Sequence, residues 1–217
     1  MFVCGIDEAG RGPVIGPLVI AGVVANEEQE KKLMELGVKD SKMLTPIQRE
    51  RMFDKIKEIV ERYEILAVLP KEIDDAVNGK DGLNLNWLEA VKSAEIVNKL
   101  KPNKVILDCP STNIEAYADY VKKKITGRVD VVAEHKADQT YPIVSAASIL
   151  AKVTRDDMIQ ELKKKHKVEF GSGYPSDPMT QIFIKHFWNK YDFFRKTWKT
   201  YQAISKGKSQ TKLFSSE

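Results

Sequence analysis

The feature that most constrains this sequence is a short apolar run, residues 1–6, that leads directly into two adjacent carboxylates, Asp7 and Glu8. The run has the length and composition of a buried β-strand, so the two acids are expected to emerge at the edge of an apolar core. An ionised carboxylate in such a place needs a partner, and two neighbouring carboxylates repel each other. A divalent cation is the simplest compensation, because hard oxygen ligands suit Mg²⁺ and Mn²⁺.

The turn after these acids is rich in glycine. Gly10 and Gly12 allow a close approach of the backbone to a ligand, and Arg11 indicates that the ligand carries a phosphate. A dinucleotide-binding loop is disfavoured, because its pattern would put a third glycine where the chain has Ile15, and because Pro13 lacks the donor that a following helix would need. The acids and the turn together indicate a metal-dependent phosphodiester site.

The rest of the chain alternates strands and helices. We predict strands at residues 2–7, 18–24, 65–69, 104–108 and 129–133. We predict helices at residues 27–36, from Thr45 onward, and at 87–100, 143–165 and 176–191. The short link between the first two strands implies antiparallel pairing, and the helix–strand alternation of the second half implies parallel pairing. An α/β fold with a mixed five-stranded sheet flanked by helices follows.

Two further acids, Asp108 and Asp138, are candidates for the same site as Asp7 and Glu8. Asp7 and Asp108 each end an apolar strand, and ligands gather at the carboxyl edge of open α/β sheets. If the first and fourth strands are neighbours, the two ends meet. Asp138 follows the fifth strand and precedes a helix, where a helix cap or a surface salt bridge is the alternative.

Five segments of the chain resemble the motifs of type 2 ribonuclease H, the ribonuclease HII family. In chain order they are Asp7 to Gly16 (DEAGRGPVIG), Asp40-Ser41-Lys42, Glu134-His135-Lys136-Ala137-Asp138, Val144-Ser145-Ala146-Ala147-Ser148-Ile149 and Gly171-Ser172-Gly173-Tyr174-Pro175. Any one of them could arise by chance, but five in the family's order make a specific match.

The resemblance implies a ribonuclease H-like fold and an endoribonuclease. Such an enzyme hydrolyses the RNA strand of RNA–DNA hybrids and cuts 5′ of ribonucleotides embedded in duplex DNA, in the setting of DNA replication and repair. Two divalent ions, Mg²⁺ or Mn²⁺, are implied, one activating water and the other stabilising the leaving 3′ oxygen, to give 5′-phosphate and 3′-hydroxyl ends. By resemblance, the four catalytic acids and metal ligands are Asp7, Glu8, Asp108 and Asp138.

The resemblance also implies contacts with the substrate. In the family, backbone groups of the turn that corresponds to Gly10, Arg11 and Gly12 contact the ribose 2′-hydroxyl, which is the group that distinguishes RNA from DNA. Tyr174 resembles the family tyrosine that packs on the following deoxyribose, with a core aromatic as the alternative. Met43 replaces a second basic residue that the family often has there. The residues predicted to contact phosphates are Lys42, Ser145, Ser148 and Lys152.

We predict three parts along the chain: a ribonuclease H-like catalytic domain at residues 1–170, a small C-terminal helical extension at 171–199 that completes the substrate cleft, and a basic, flexible tail at 200–217. Six basic residues and one acidic residue follow Phe194, although the net charge of the whole chain is only +4. Such a distribution suits a polyanionic partner, with a solubilising disordered tail as the alternative.

The end of the tail suggests a second partner. Residues 210–214 (QTKLF) resemble the start of a sliding-clamp binding box that some archaeal members of the family carry at the C-terminus. The aromatic residues that usually complete the box are replaced by Ser215, Ser216 and Glu217. Electrostatic attraction of the tail to nucleic acid is the rival explanation.

Composition narrows the class of protein further. No stretch approaches the ~20 apolar residues of a membrane span, and the first residues lack the layout of a secretory signal. Cys4 and Cys109 lie in apolar, strand-like runs and are predicted to be buried, reduced thiols. We expect a cytoplasmic monomer that binds an RNA–DNA hybrid or ribonucleotide-containing duplex DNA and no membrane.

Two other functions fit part of the pattern. One is a DNA resolvase or exonuclease of the same superfamily, which the Gly10-Arg11-Gly12 turn and Tyr174 disfavour. The other is a non-catalytic nucleic-acid binding module with a vestigial site, which the presence of all four acids disfavours.

Overall fold

The structure is a computed structural model that describes residues 1–38 and 45–214, with side chains as far as residue 207. The predicted phosphate contact Lys42 therefore lies outside the described residues. The chain divides into two compact units, which we call the sheet unit and the helical unit. The sheet unit comprises Met1–Ala9, Val19–Ala67 and Leu85–Arg155, and the helical unit comprises Gly10–Leu18, Val68–Asn84 and Asp156–Glu217. The domain boundaries predicted at residues 170 and 199 stay a prediction.

A five-stranded mixed sheet with the strand order β3-β2-β1-β4-β5 forms the centre of the sheet unit. Its strands are β1 (Val3–Ala9), β2 (Leu18–Ala25), β3 (Arg62–Val68), β4 (Lys104–Asp108) and β5 (Asp130–Glu134). β1 pairs with β2 in antiparallel fashion, whereas β1 with β4 and β4 with β5 are parallel pairs. The pairings confirm the predicted mixed sheet, including the adjacency of the first and fourth strands.

Nine α-helices occur among the described residues. They are α1 (Glu27–Glu35), α2 (Pro46–Ile59), α3 (Pro70–Val77), α4 (Leu85–Leu100), α5 (Ile114–Lys124), α6 (Ala137–Thr140), α7 (Pro142–His166), α8 (Pro178–Phe187) and α9 (Lys199–Phe214). α2 begins, as predicted, at a capping box formed by Thr45 and Gln48. None of the helices in the described part of the chain combines the length and the apolar character needed to cross a membrane.

Four helices, α3, α5, α6 and α9, lie where the sequence analysis gives no helix range. α3 begins at Pro70, which the pattern predicts only as the end of the third strand. Proline is favoured at the start of a helix, because the N–H group that it lacks would have no partner within the helix there. α9 occupies residues for which the composition predicts an irregular tail. Its first turn is held by Tyr201, which is buried and donates its hydroxyl hydrogen to the Trp188 carbonyl at 2.8 Å.

Close packing between β1 and α7 brings the start of this helix against the strand that carries Asp7. A Cβ atom on Gly5 would stand 2.5 Å from the backbone of Ile143, so only glycine allows this approach. Small residues of the first turns of α7 are fully buried: Ser145, Ala146, Ala147 and Ser148. The small side chains of these turns let the helix pack closely on the sheet.

The helical unit has a core of its own, in which aromatic side chains predominate. Its buried members are Val14, Ile15, Ile159, Phe170, Phe183, Ile184, Phe193, Phe194 and Tyr201. Val14 and Ile15 belong to the glycine-rich segment, and a single β-bridge joins Ile15 to Phe194. The segment that follows the Asp7–Glu8 pair is therefore built into the helical unit by its own apolar residues.

Candidate metal centre

Three of the predicted site carboxylates meet in the sheet unit. Asp7, Asp108 and Asp138 each offer a carboxylate oxygen, and these oxygens lie within 4.8 Å of one another. Asp7 and Asp138 are buried, and Asp108 is half-buried. The fold thus assembles one acid group from three distant parts of the sequence.

The register of the sheet explains why Asp7 meets Asp108. The parallel ladder pairs Ile6 of β1 with Leu107 of β4. The next residues along the two strands, Asp7 and Asp108, therefore stand side by side. The structure places them at the carboxyl ends of parallel strands, where α/β folds gather ligands.

A tight turn after β5 delivers Asp138 to the same place. Lys136 adopts a left-handed conformation with φ of +58°, and α6 begins directly after it. Two hydrogen bonds tie the turn to the end of β4. The Nδ1–H of His135 donates to the Cys109 carbonyl at 3.0 Å, and the Ala137 N–H donates to Asp108 Oδ1 at 3.1 Å. His135 thus helps to fix the turn that carries Asp138.

The surroundings of Asp7 shift its pKa strongly. Burial raises the pKa of Asp7 to about 7, and the negative charge of Asp108 acts in the same direction. A hydrogen bond from Ser148 and the positive charge of Lys152 oppose this rise. Lys152 Nζ also donates to Ser148 Oγ at 2.6 Å. The pKa of Asp7 stays high in spite of these two side chains. The folded chain therefore compensates only part of the cost of burying the charged carboxylate.

Glu8 lies outside the three-acid group. Its backbone N–H donates to Asp7 Oδ1 at 2.7 Å. Burial, and next the charge of Glu8, raise the pKa of the Tyr117 hydroxyl well above its ordinary value. The Glu8 carboxylate is therefore close enough to α5 for its charge to act on Tyr117. Its role as a fourth metal ligand stays a prediction.

The acid group fits a hard divalent cation. All of its donors are carboxylate oxygens, the ligands that Mg²⁺ and Mn²⁺ prefer over softer metals. The raised pKa of Asp7 adds a physical reason, because a cation beside the three acids would favour the ionised form that burial disfavours. Asp7, Asp108 and Asp138 are therefore the residues that would hold the metal.

The predicted phosphate contacts on α7 have different surroundings. Ser145 is fully buried and its hydroxyl donates to the carbonyl of Val38, which favours a structural role for it. Ser148 is also buried and lies between Lys152 and Asp7, so it supports the acid group. A substrate contact by Ser148 or Lys152 stays a prediction.

The glycine-rich turn lies beside Tyr174 within the helical unit. A Cβ atom on Gly12 would stand 3.5 Å from the ring of Tyr174. The N–H groups of Val14 and Ile15 donate to the Gly173 carbonyl at 2.8 and 3.3 Å. Tyr174 is 40% exposed, which argues against the alternative of a core aromatic. The two segments predicted to contact the sugars at an RNA–DNA junction are thus neighbours.

Two residues that the sequence analysis does not single out hold this turn in place. Arg195 is fully buried and donates to backbone carbonyls of residues 10, 11 and 16, and Trp198 donates to the Gly12 carbonyl. In the sequence, Arg195 is one of the six basic residues after Phe194 and is therefore grouped with the basic tail. No local signal in the sequence marks Arg195 for burial, since arginine side chains are mostly exposed in proteins.

Comparisons with known proteins point to one family. A family model described as Ribonuclease HII matches residues 4–201. A Ribonuclease HII from Pyrococcus horikoshii is 47% identical over 210 residues, which cover 94% of this chain and 93% of the relative. The crystal structure of the ribonuclease H2 from Pyrococcus horikoshii OT3 has a TM-score of 0.87 at 46% identity and covers 95% of this chain and 98% of that one. A structure of the PCNA:RNase HII complex from Archaeoglobus fulgidus has a TM-score of 0.84 at 41% identity, with coverages of 92% and 96%.

Replacing Asp7 by asparagine should stabilise the metal-free protein. The fold raises the pKa of Asp7 to about 7, so the Asp7 carboxyl group binds its proton more tightly in the folded state than in the unfolded chain. The contribution of Asp7 to the free energy of unfolding therefore falls as the pH rises from about 4 to about 7. A neutral amide at this position avoids that loss. In chelating buffer at pH 8 we expect the Tm of Asp7→Asn to exceed that of the wild type, by about 2–4 °C per kcal/mol gained, and the difference to shrink at pH 5.

The matched control is Asp119→Asn, which neutralises an exposed carboxylate on α5. Its Tm should equal that of the wild type at both pH values. Added Mg²⁺ or Mn²⁺ should stabilise the wild type and Asp119→Asn but not Asp7→Asn. Equal Tm values for Asp7→Asn and the wild type at pH 8 in chelator would contradict the electrostatic account of Asp7.

Proposed function

The chain belongs to the ribonuclease HII family, and we propose that it uses two divalent cations to cut 5′ of ribonucleotides embedded in duplex DNA as well as within longer hybrids. Membership in the family makes the chain an endoribonuclease that acts on RNA in RNA–DNA hybrids. The observation that carries the mechanistic proposal is the group of Asp7, Asp108 and Asp138, whose carboxylate oxygens lie within 4.8 Å of one another.

The proposed cofactors are two Mg²⁺ or Mn²⁺ ions. When bound, they supply an activated water and positive charge that stabilises the leaving 3′ oxygen, which gives 5′-phosphate and 3′-hydroxyl products. We propose Asp7 as the ligand shared by both ions, because its carboxylate is buried and its pKa is raised. Glu8 is proposed as an additional ligand of one ion.

The residues of the chain hold the acids in place before any substrate arrives. Ser148 and Lys152 orient Asp7 from α7, and the Ala137 N–H holds Asp108 from the start of α6. Asp7 and Asp108 lie on paired strands, which fixes their separation better than a loop would. Such preorganisation lowers the entropy that the reaction loses when its groups are brought together.

We propose that the turn of residues 10–12 and Tyr174 read the sugar at the cleavage site. Close backbone groups of the turn would contact the 2′-hydroxyl, and Tyr174 would pack on the next deoxyribose, where a further 2′-hydroxyl would crowd the ring. The neighbouring positions of Gly12 and Tyr174 support this proposal. A site that pairs a hydroxyl discriminates strongly against its absence, because the polar groups of the site are then left unpaired.

A sliding clamp is the proposed protein partner. The Archaeoglobus fulgidus relative was solved as a PCNA:RNase HII complex, and residues 210–214 of this chain resemble the start of a clamp-binding box. These residues belong to α9. Roles in DNA replication and repair, a cytoplasmic location and a monomeric state stay predictions.

Replacing Asp108 by asparagine tests the function directly. Loss of one charged ligand should lower the rate of cleavage of a duplex with a single ribonucleotide by at least about 100-fold, or ~2.7 kcal/mol in activation free energy. The measurement is cleavage at saturating Mg²⁺ and Mn²⁺, with an all-DNA duplex alongside and Asp119→Asn as the control variant. Cleavage of the all-DNA duplex by the wild type would favour the DNA-directed nuclease instead. Binding without cleavage by the wild type would favour the non-catalytic module.

Substitutions at Tyr174 test the reading of the junction. Tyr174→Ala should lower cleavage at a lone ribonucleotide by about 10–100-fold, since stacking of an aromatic ring on a nucleotide contributes about 1–3 kcal/mol, and should spare metal binding and Tm. Tyr174→Phe should keep most of the activity if packing is what matters. The control is Tyr63→Ala, which removes a similarly exposed tyrosine from β3. Wild-type rates for Tyr174→Ala on both lone-ribonucleotide and long-hybrid substrates would contradict the proposed reading of the junction.

Deleting residues 208–217 tests binding to the sliding clamp. The deletion starts beyond Tyr201, because that residue belongs to the core of the helical unit. We expect it to abolish binding to Archaeoglobus fulgidus PCNA in calorimetry and to leave cleavage at saturating substrate unchanged. Phe214→Ala should act like the deletion, whereas the double substitution Lys208→Gln and Lys212→Gln should not. If the lysine variant alone reduces substrate affinity and its salt dependence, and PCNA does not bind the wild type, the tail is an electrostatic anchor.

A further inference from the structure

The buried guanidinium of Arg195 is the least expected feature of the helical unit. Arg195 has no solvent exposure. Its Nε donates to the Gly16 carbonyl at 3.0 Å, one terminal nitrogen to the Arg11 carbonyl at 2.9 Å, and the other to the Gly10 carbonyl at 2.5 Å. One side chain therefore binds three carbonyls of the glycine-rich segment, across 179 to 185 positions of sequence.

Trp198 completes this arrangement. Its ring lies 4.9 Å from the Arg195 guanidinium, and its indole N–H donates to the Gly12 carbonyl at 3.0 Å. The carbonyls of residues 10, 11 and 12 are thus all held from the same short stretch of chain. We call Arg195 and Trp198 the carbonyl clamp.

The carbonyl clamp is itself held by hydrogen bonds that do not involve the glycine-rich segment. Asp74 accepts hydrogen bonds from the Lys196 N–H at 2.8 Å and from the Thr197 N–H and hydroxyl at 2.9 and 2.6 Å. The Trp198 carbonyl accepts a hydrogen bond from Gln202, which belongs to the first turn of α9. The two clamp residues are therefore fixed from both sides along the chain.

Peptide geometry gives the clamp a consequence for the opposite side of the turn. In a trans peptide the C=O and the following N–H point in opposite directions. When the carbonyls of Gly10 and Arg11 turn toward Arg195, the N–H groups of Arg11 and Gly12 turn away from it. The positive charge on the carbonyl side also polarises these peptides and strengthens their N–H groups as donors.

We propose that Arg195 is a positioning residue that orients the Arg11 and Gly12 N–H groups as donors to the 2′-oxygen of the ribonucleotide. Trp198 is a second positioning residue, because it packs on the Arg195 guanidinium and holds the Gly12 carbonyl, and so keeps the turn in that orientation. The inference rests on the proposed reading of the sugar by residues 10–12. It assigns the discrimination between RNA and DNA to a buried clamp that need not touch the substrate. Arginine suits the role, since its planar fork donates in several fixed directions and stays charged in a buried site, whereas lysine is a single flexible donor.

The test measures how affinity depends on the 2′-hydroxyl. Binding of the full chain to a duplex with one ribonucleotide and to the matching all-DNA duplex is compared in Ca²⁺, with cleavage assayed separately in Mg²⁺. Trp198→Phe keeps an aromatic ring beside Arg195 and removes one donor, and Arg195→Lys removes the fork. We expect each variant to lower the ratio of the two affinities, about fivefold to tenfold for Trp198→Phe and more for Arg195→Lys, through weaker binding of the ribonucleotide duplex alone.

Trp188→Phe is the matched control, because it makes the same change at a residue that packs on Tyr201 instead of the turn. It should leave the affinity ratio unchanged. If Arg195→Lys fails to fold, Trp198→Phe decides the question, since its Tm should stay near that of Trp188→Phe. An unchanged ratio in folded Trp198→Phe would overturn the proposal, as would equal weakening of both duplexes. A wild type that shows no preference for the ribonucleotide duplex would refute the proposed function itself, which is a separate outcome.

Discussion

The burial of one carboxylate, Asp7, against α7 is the constraint on which the site depends. Gly5 lets the helix approach β1, and that approach brings Ser148 to the Asp7 carboxylate and excludes water from it. Desolvation of a carboxylate is costly unless it is compensated. The fold supplies one hydrogen bond and one nearby lysine, and then places Asp108 and Asp138 alongside. The site therefore disfavours the ionised form of Asp7 as long as no cation is bound. Proteins retain such local conflicts where function requires them.

Much of this site could be predicted from the sequence, because the relevant information is local. An apolar run that ends in an acid predicts a strand that delivers a carboxylate to the sheet edge, and two such runs predicted the pairing of Asp7 with Asp108. Glu8 marks the limit of that reasoning, because it is adjacent to Asp7 in sequence but lies outside the three-acid group, and its role as a ligand stays a prediction.

The features that the sequence did not reveal depend on contacts between distant residues. Nothing near Arg195 indicates that its partners are the carbonyls of residues 10, 11 and 16, so composition assigns it to a basic tail. The same is true of α9, whose polar sequence predicts an irregular segment, while the burial of Tyr201 in the aromatic core holds its first turn. Backbone carbonyls carry no sequence signature, and a side chain that binds them can be recognised only when the fold is known.

The two buried charged groups differ in a way that bears on their roles. The charge of Asp7 varies with pH and with the metal, because burial has brought its pKa to about 7. Arg195 carries a fixed charge, since a guanidinium does not lose its proton in proteins, and three carbonyl dipoles solvate it in place of water. The turn that would read the sugar is therefore held by a charge that does not come from the metal. A cation beside Asp7, in contrast, would favour its ionised form. The two residues thus make opposite uses of a buried charge.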